Sequence, residues 1–254
     1  MNSENFIQMN KISHLHNGKT HIFCKTDFLI PDLEWINSFD EEVTLITGNS
    51  DYCITDEIAA KAPPNIKKWF CQNKMSSNPV LKSMPIGVEN TVRCGRYGHG
   101  VILPHSIRVV NELASVEQRE PTKLIYSNFS IQTNPSLRSE VMLVCKGQKH
   151  IDWCGKSLSH SEYLLRCLDY RMVVCPEGNG PDTIRFWETL YLNRVPIARL
   201  SKATEDFKDL PVVWLKDWGE LRDKSLILSR YEECKDKSRE LCNVNYWKNL
   251  ITSK

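Results

Sequence analysis

The chain has 254 residues, with 33 Lys and Arg against 31 Asp and Glu, a net charge of +2 and 41% hydrophobic residues. That length accommodates one large domain or two of ordinary size with a true core, and the charge balance gives no reason to expect nucleic acid as a partner. No apolar run approaches the roughly 18 residues that span a bilayer, and residues 1–19 lack the apolar stretch of a secretory signal. The expectation is therefore a cytoplasmic protein with no integral membrane segment.

Along the first half, short apolar runs alternate with polar helical stretches. Residues 20–24 (THIFC) read as a strand, 32–39 as a short helix, and 43–47 (VTLIT) as a β-branched strand that ends in GNSD. After the breaker Pro63-Pro64, residues 66–71 (IKKWFC) read as a further strand, and 81–86 lead into PIGVEN at 85–90. Residues 106–113 are a candidate helix. The charged stretch 115–122 (SVEQREPT) is the candidate linker. Strands alternating with helices imply a parallel α/β sheet, and crossover handedness favours a doubly wound arrangement.

The second half restarts the pattern. Strands are expected at 124–127, 151–154 and 212–215, helices at 137–146 and 159–167, and a largely helical stretch at 221–250 anchored by Tyr231, Leu241, Tyr246 and Trp247. The most informative stretch is 172–198, which reads as strand, glycine loop, helix, turn and strand. Gly178 and Gly180 flank Asn179 and let the backbone bend sharply and approach a ligand. Pro181 suits a first helical turn. Ile184, Trp187, Leu190 and Tyr191 share a helical face, and Asn193 is placed to end the helix in a left-handed conformation. Small residues ahead of a helix N-terminus make a natural anion site. Asp182, Arg185 and Glu188 repeat every third position along one flank and suit hydroxyls and phosphates.

The run P-x-G-N-G-x-D-x-x-R-x-W-E-x-L, closed by Val195-Pro196-Ile197, resembles the donor-binding segment of exostosin-like glycosyltransferases and their soluble relatives. Residues 124–138 (LIYSNFSIQTNPSLR) resemble the first strand and loop of that family's donor domain. GNSD at 48–51, PIGVEN at 85–90 and LPVVWLKDW at 210–218 resemble its spaced blocks. The resemblance implies a GT-B fold: α/β, two Rossmann-like parallel-sheet domains facing a cleft. The expected boundaries are 1–115 for an N-terminal acceptor domain, 121–240 for a C-terminal nucleotide-sugar donor domain, and 241–254 for a terminal helix packing back on the N-terminal domain. It further implies transfer with inversion from a UDP-sugar to a glycan acceptor, with xylose, galactose and glucuronic acid all compatible. Animal exostosins carry a membrane anchor; this chain resembles the soluble microbial and viral members.

Such transfer requires a grip on the nucleotide, neutralisation of the departing diphosphate and activation of an acceptor hydroxyl. No Asp-x-Asp pair occurs, so the expected reaction is metal-independent, with Arg138, Arg185 and the backbone of 178–180 meeting the diphosphate. The resemblance implies Glu188 as the carboxylate that holds the ribose diol. Many GT-B enzymes hold a second carboxylate eight positions earlier; Gly180 stands there, and Asp182 is the candidate substitute. A helix-dipole charge is the competing reading for Asp182, and a surface salt bridge for Arg185. Trp187 reads as core. Asn128, Ser130 and Thr133 are candidates to line the phosphates, against turn chemistry before Asn134-Pro135. Gly155 and Ser157, in GKSL, are placed to meet the nucleobase.

The base is expected from the first half, with Asp51 first and Glu89 second. A helix N-cap before Tyr52 competes for Asp51. Asn49 is a candidate to orient the acceptor, and His99 and His105 are further cleft candidates against the commoner structural role of single histidines. Ten cysteines without C-x-x-C or paired Cys/His spacing read as reduced, mostly buried thiols and not as a metal site. Asn128-Phe129-Ser130 matches a glycosylation sequon that is accidental in a cytoplasmic protein. The alternative function is a catalytically inactive nucleotide- or carbohydrate-binding protein, which keeps Glu188 and the glycine loop and needs no base. A methyltransferase is disfavoured by the missing G-x-G-x-x-G near the N-terminus.

Overall fold

A computed structural model describes residues 2–92 and 104–253. The first half contains α1 (Met9–Ser13), β1 (His21–Lys25), α2 (Leu29–Asn37), β2 (Val43–Gly48), β3 (Ile54–Thr55), α3 (Asp56–Ala59), β4 (Ile66–Cys71), β5 (Lys74–Met75), β6 (Leu81–Ser83) and α4 (Pro104–Ser115). The second contains β7 (Lys123–Ser127), α5 (Pro135–Lys146), β8 (Ile151–Trp153), α6 (His160–Cys167), β9 (Tyr170–Val174), α7 (Ile184–Tyr191), β10 (Val195–Arg199), β11 (Val213–Leu215), α8 (Lys224–Cys234) and α9 (Val244–Thr252).

Two main parallel sheets result, beside the short parallel pair β3-β5. The first runs β1-β2-β4-β6 and the second β8-β7-β9-β10-β11. In local numbering the second order is 2-1-3-4-5, that of a doubly wound sheet, with its reversal between β7 and β9. The first order advances in one direction, so the doubly wound expectation is corrected there. Helices α2 and α3 both pack on one face of that sheet, as right-handed crossovers in a monotonic order require.

Side-chain alternation sorts each strand between two cores. Ile22 and Cys24, Leu45, and Trp69 and Cys71 face the outer helices of the first half. Ile125, Met172, Val174, Ile197, Val213 and Leu215 face α5 and α8. The residues between them, Phe23, Ile46, Phe70, Tyr126, Val173 and Ala198, enter one central cluster with Trp187, Phe207 and Trp247. Both faces of the central strands are therefore covered, which explains their nearly continuous apolar runs. The inner faces of the two sheets share a core.

Polar contacts reinforce this join. The Tyr191 hydroxyl accepts from the Ile7 amide at 2.7 Å and donates to the Cys242 carbonyl at 2.8 Å. Lys74, almost fully buried, pairs with Glu205 at 2.8 Å and Asp206 at 3.0 Å. Asp206 also accepts from the Ser83 amide at 2.7 Å. Helix α9 packs against α1.

Several local features differ from the sequence reading. Helix α1 has five residues and α3 four, too short to show a helical period. The stretch 221–250 is broken: α8 ends at Cys234, and Asn243 caps α9 by accepting from the Asn245 amide. Pro181 precedes α7, whose N-cap is Thr183. Asn193 does take a left-handed φ of 56°. Nine described cysteines are free thiols, most of them buried; Cys94 and His99 lie outside the described residues. Among the described residues no helix is long and apolar enough to cross a membrane.

Candidate functional site

The order reversal in the second sheet separates the loops that leave β7 and β9, and a crevice opens where such loops part. Arg138, on α5, bridges the two loops. Its Nε donates to the Glu177 carbonyl at 2.8 Å, Nη1 to Ser130 at 2.7 Å and Nη2 to Pro176 at 3.1 Å. Burial, then the nearby charge of Arg185, pushes its pKa down to about 10. Its three nitrogens hold backbone, so Arg138 fastens the two loops to each other.

Arg185 is placed differently. It lies in the first turn of α7 with its guanidinium carbon 4.6 Å from the Tyr163 ring centre. Its Nε and Nη1 are buried and have no hydrogen-bond partner. The surface salt bridge considered for it is absent among the described residues. Glu188, one turn on, accepts from His160 Nε2 at 2.8 Å, and His160 Nδ1 meets Glu112 at 2.8 Å. Burial alone would lower the His160 pKa, but the hydrogen bonds and charges of Glu188 and then Glu112 outweigh it and raise it. An imidazolium held between two carboxylates is the result. Any diol that reaches Glu188 Oε1 has to displace this histidine.

Asp182 is fully occupied. Trp187 Nε1 donates to one oxygen at 2.8 Å and the Ile86 amide to the other at 2.7 Å. Burial lifts its pKa to about 7. Asp182 therefore ties the two halves, and its bond to the backbone of Thr183, the N-cap of α7, agrees with the reading as a charge at the helix N-terminus. The glycine loop serves the same join. Neither Gly178 nor Gly180 has a positive φ. A Cβ on Gly180 would stand 2.6 Å from Asn73 Nδ2, and one on Gly178 3.1 Å from Arg138 Nη2. Close approach to these side chains, not sharp bending toward a ligand, is what requires glycine.

Asn128 Nδ2 donates to the carbonyls of Cys154 and Lys156 at 2.7 and 2.9 Å, so it fastens the loop after β8. The Ser130 hydroxyl accepts from the Gln132 amide, and Thr133 bonds the Ser130 carbonyl: turn chemistry in an exposed loop. Gly155 and Ser157 are exposed beyond β8, on the neighbouring loop.

Across the join, Asn179 Nδ2 donates to Asp51 Oδ2 at 3.2 Å. This places the first-choice base beside the glycine loop. Asp51 and Glu89 line one cavity of about 520 Å³ with Asn49, Tyr52, Asn90 and Ile184, the first residue of α7. Tyr52 begins no helix; the nearest, α3, is capped by Thr55, so the N-cap reading of Asp51 is corrected. Asn49, at φ 58°, accepts from Asn90 through Oδ1, while its Nδ2 is buried without a partner. Exposed His105 meets Arg108 on its own helix at 3.1 Å. Lys25 and Asp27 also line the cavity, 3.1 Å apart. Sequence reasoning passed over them, although Lys25 ends β1 at its carboxyl edge, where ligand-facing residues gather. Glu112 and His160 were missed as well, and their distance of 48 residues in sequence leaves no local signal.

No protein-family model matches this chain, and no curated protein matches it. Among the described residues no group of three or more His, Cys, Asp or Glu stands ready to hold a metal.

Proposed function

We propose that the chain is an inverting, metal-independent glycosyltransferase of GT-B arrangement, moving a sugar from a UDP-sugar to a glycan hydroxyl. The observation that carries this reading is Arg185: a guanidinium with two buried nitrogens, Nε and Nη1, that have no hydrogen-bond partner, at the switch point of a doubly wound sheet. A cation left without an acceptor in such a crevice is costly unless an anion completes it. The diphosphate of the donor is that anion, and Arg138 adds charge from the wall.

The remaining roles follow by position. Glu188 takes the ribose diol after exchanging His160. Gly155 and Ser157 flank the nucleobase. The acceptor occupies the cavity beside Asp51, and Glu89 and Asn90 help to orient it. Asp51 removes the acceptor proton as the oxygen bonds to the anomeric carbon and the bond to the diphosphate breaks. The electron pair departs with UDP toward Arg185. No metal is needed, since fixed positive charge receives the leaving group.

UDP release from a panel of UDP-sugars with glycan acceptors, with and without EDTA, tests this. We expect release that survives EDTA and falls by about 10²-fold or more in Asp51→Asn. Binding without turnover for every donor contradicts an enzyme, and a strict metal requirement contradicts charge neutralisation by arginine.

A further inference from the structure

The amino ends of β9 and β10, opposite the crevice, open onto a separate cavity of about 700 Å³. The linker at 118–121, the start of β9, the turn before β10 and the end of α8 enclose it. Five cationic side chains line it, Arg119, Arg171, Arg194, Lys235 and Arg239, against Glu120 and Asp236. Two of the cations are neutralised locally: Arg119 by Asp169 and Lys235 by Glu232, each at 2.6 Å. Lys235, at the C-cap of α8, also answers that helix's dipole.

Arg171, Arg194 and Arg239 have no carboxylate within salt-bridge distance among the described residues. Arg194 is buried and donates to the carbonyls of Leu168, Leu192, Asn193 and Arg119. Its charge is thus fixed beneath the cavity, with the carboxylate of Glu120 acting on it. Arg239 Nε is buried without a hydrogen-bond partner, and burial lowers the Arg239 pKa. Arg171, on β9, is exposed.

Five cationic side chains against the carboxylates Asp169, Glu232, Glu120 and Asp236 leave the cavity net positive, and its guanidinium groups match an anion with several oxygens, since their planar forks bind phosphate in pairs. The volume falls in the range of small-molecule sites, about 300–1,000 Å³, and exceeds what one ion fills. We propose that this cavity binds a small molecule bearing two or more phosphoryl groups, gripped by Arg171 and Arg239 above the fixed charge of Arg194. The site is independent of the crevice: neither Arg185 nor Glu188 lines it.

Titration calorimetry of the full chain with inorganic pyrophosphate, at constant ionic strength, tests this. The measurement is made on wild type and on Arg185→Met, which removes the cation of the crevice. One saturable site should persist in Arg185→Met, weaken about tenfold or more when Arg171→Gln is added, and vanish with Arg171→Glu. Arg171 is exposed, so these changes leave folding intact, and an unchanged Tm checks it. Orthophosphate should bind about tenfold more weakly, reflecting the second phosphoryl group. Binding unaffected by Arg171→Glu, binding lost in Arg185→Met alone, equal affinity for orthophosphate, or no saturable binding in wild type overturns the proposal.

Discussion

His160 bridges Glu112 of α4 and Glu188 of α7, and this proton-bearing link has a definite pH signature. Its folded-state pKa is raised above the ordinary value, so the native chain keeps a proton that the unfolded chain releases above about pH 6.5. Stability from the link is complete below that pH and declines as pH rises through the folded pKa. Asp182, lifted to about 7 by burial, acts in the same direction from about pH 4 upward, so the histidine contribution is read as a difference between wild type and variant. In His160→Gln the fall of Tm as pH rises above about 6.5 should flatten; an unchanged slope would show that His160 carries no such proton. The arginines illustrate how far single residues were legible. The spacing puts Arg185 and Glu188 one turn apart on one flank of a helix, and both lie in α7. The partners of Asp182 were not legible, because the Ile86 amide lies 96 residues away and answers to packing between halves.

At the scale of elements, the segment from β9 to α7 serves two ends. Its loop closes against Asn73 and Asp51 of the first half, and its helix sends Trp187 and Tyr191 into the shared core. Gly180 is where these demands meet. Gly180→Ala places a methyl group 2.6 Å from Asn73 Nδ2, which forces Asn73 from its bond to the Asp182 amide. Overpacking of this kind costs about 1–3 kcal/mol, and urea unfolding should report a loss of that size; a loss near zero would mean the loop yields freely. Most elements of the sheets were legible because β-branched runs and breakers mark them, as at 43–47 and 66–71. The paired strands β3 and β5 were not, since two residues each carry no period.

At the scale of the whole molecule, strands alternating with helices, and restarting after the linker, predicted two α/β halves, and the structure has a four-stranded and a five-stranded parallel sheet beside the short β3-β5 pair. Composition carried no sign that Phe23, Phe70, Tyr126 and Val173 would meet in one core, because a strand face has no address for its partner until the chain folds. That shared core joins the half that carries Asp51 to the half that carries Arg185. The account depends most on Arg185 being the group that an anionic donor completes. Thermal denaturation of wild type and Arg185→Met, each with and without saturating UDP, measures this directly. UDP should raise the Tm of wild type through binding to the native state. The variant, which lacks the guanidinium, should gain nothing from UDP. A UDP-induced rise that persists in Arg185→Met, or none in wild type, would contradict the account.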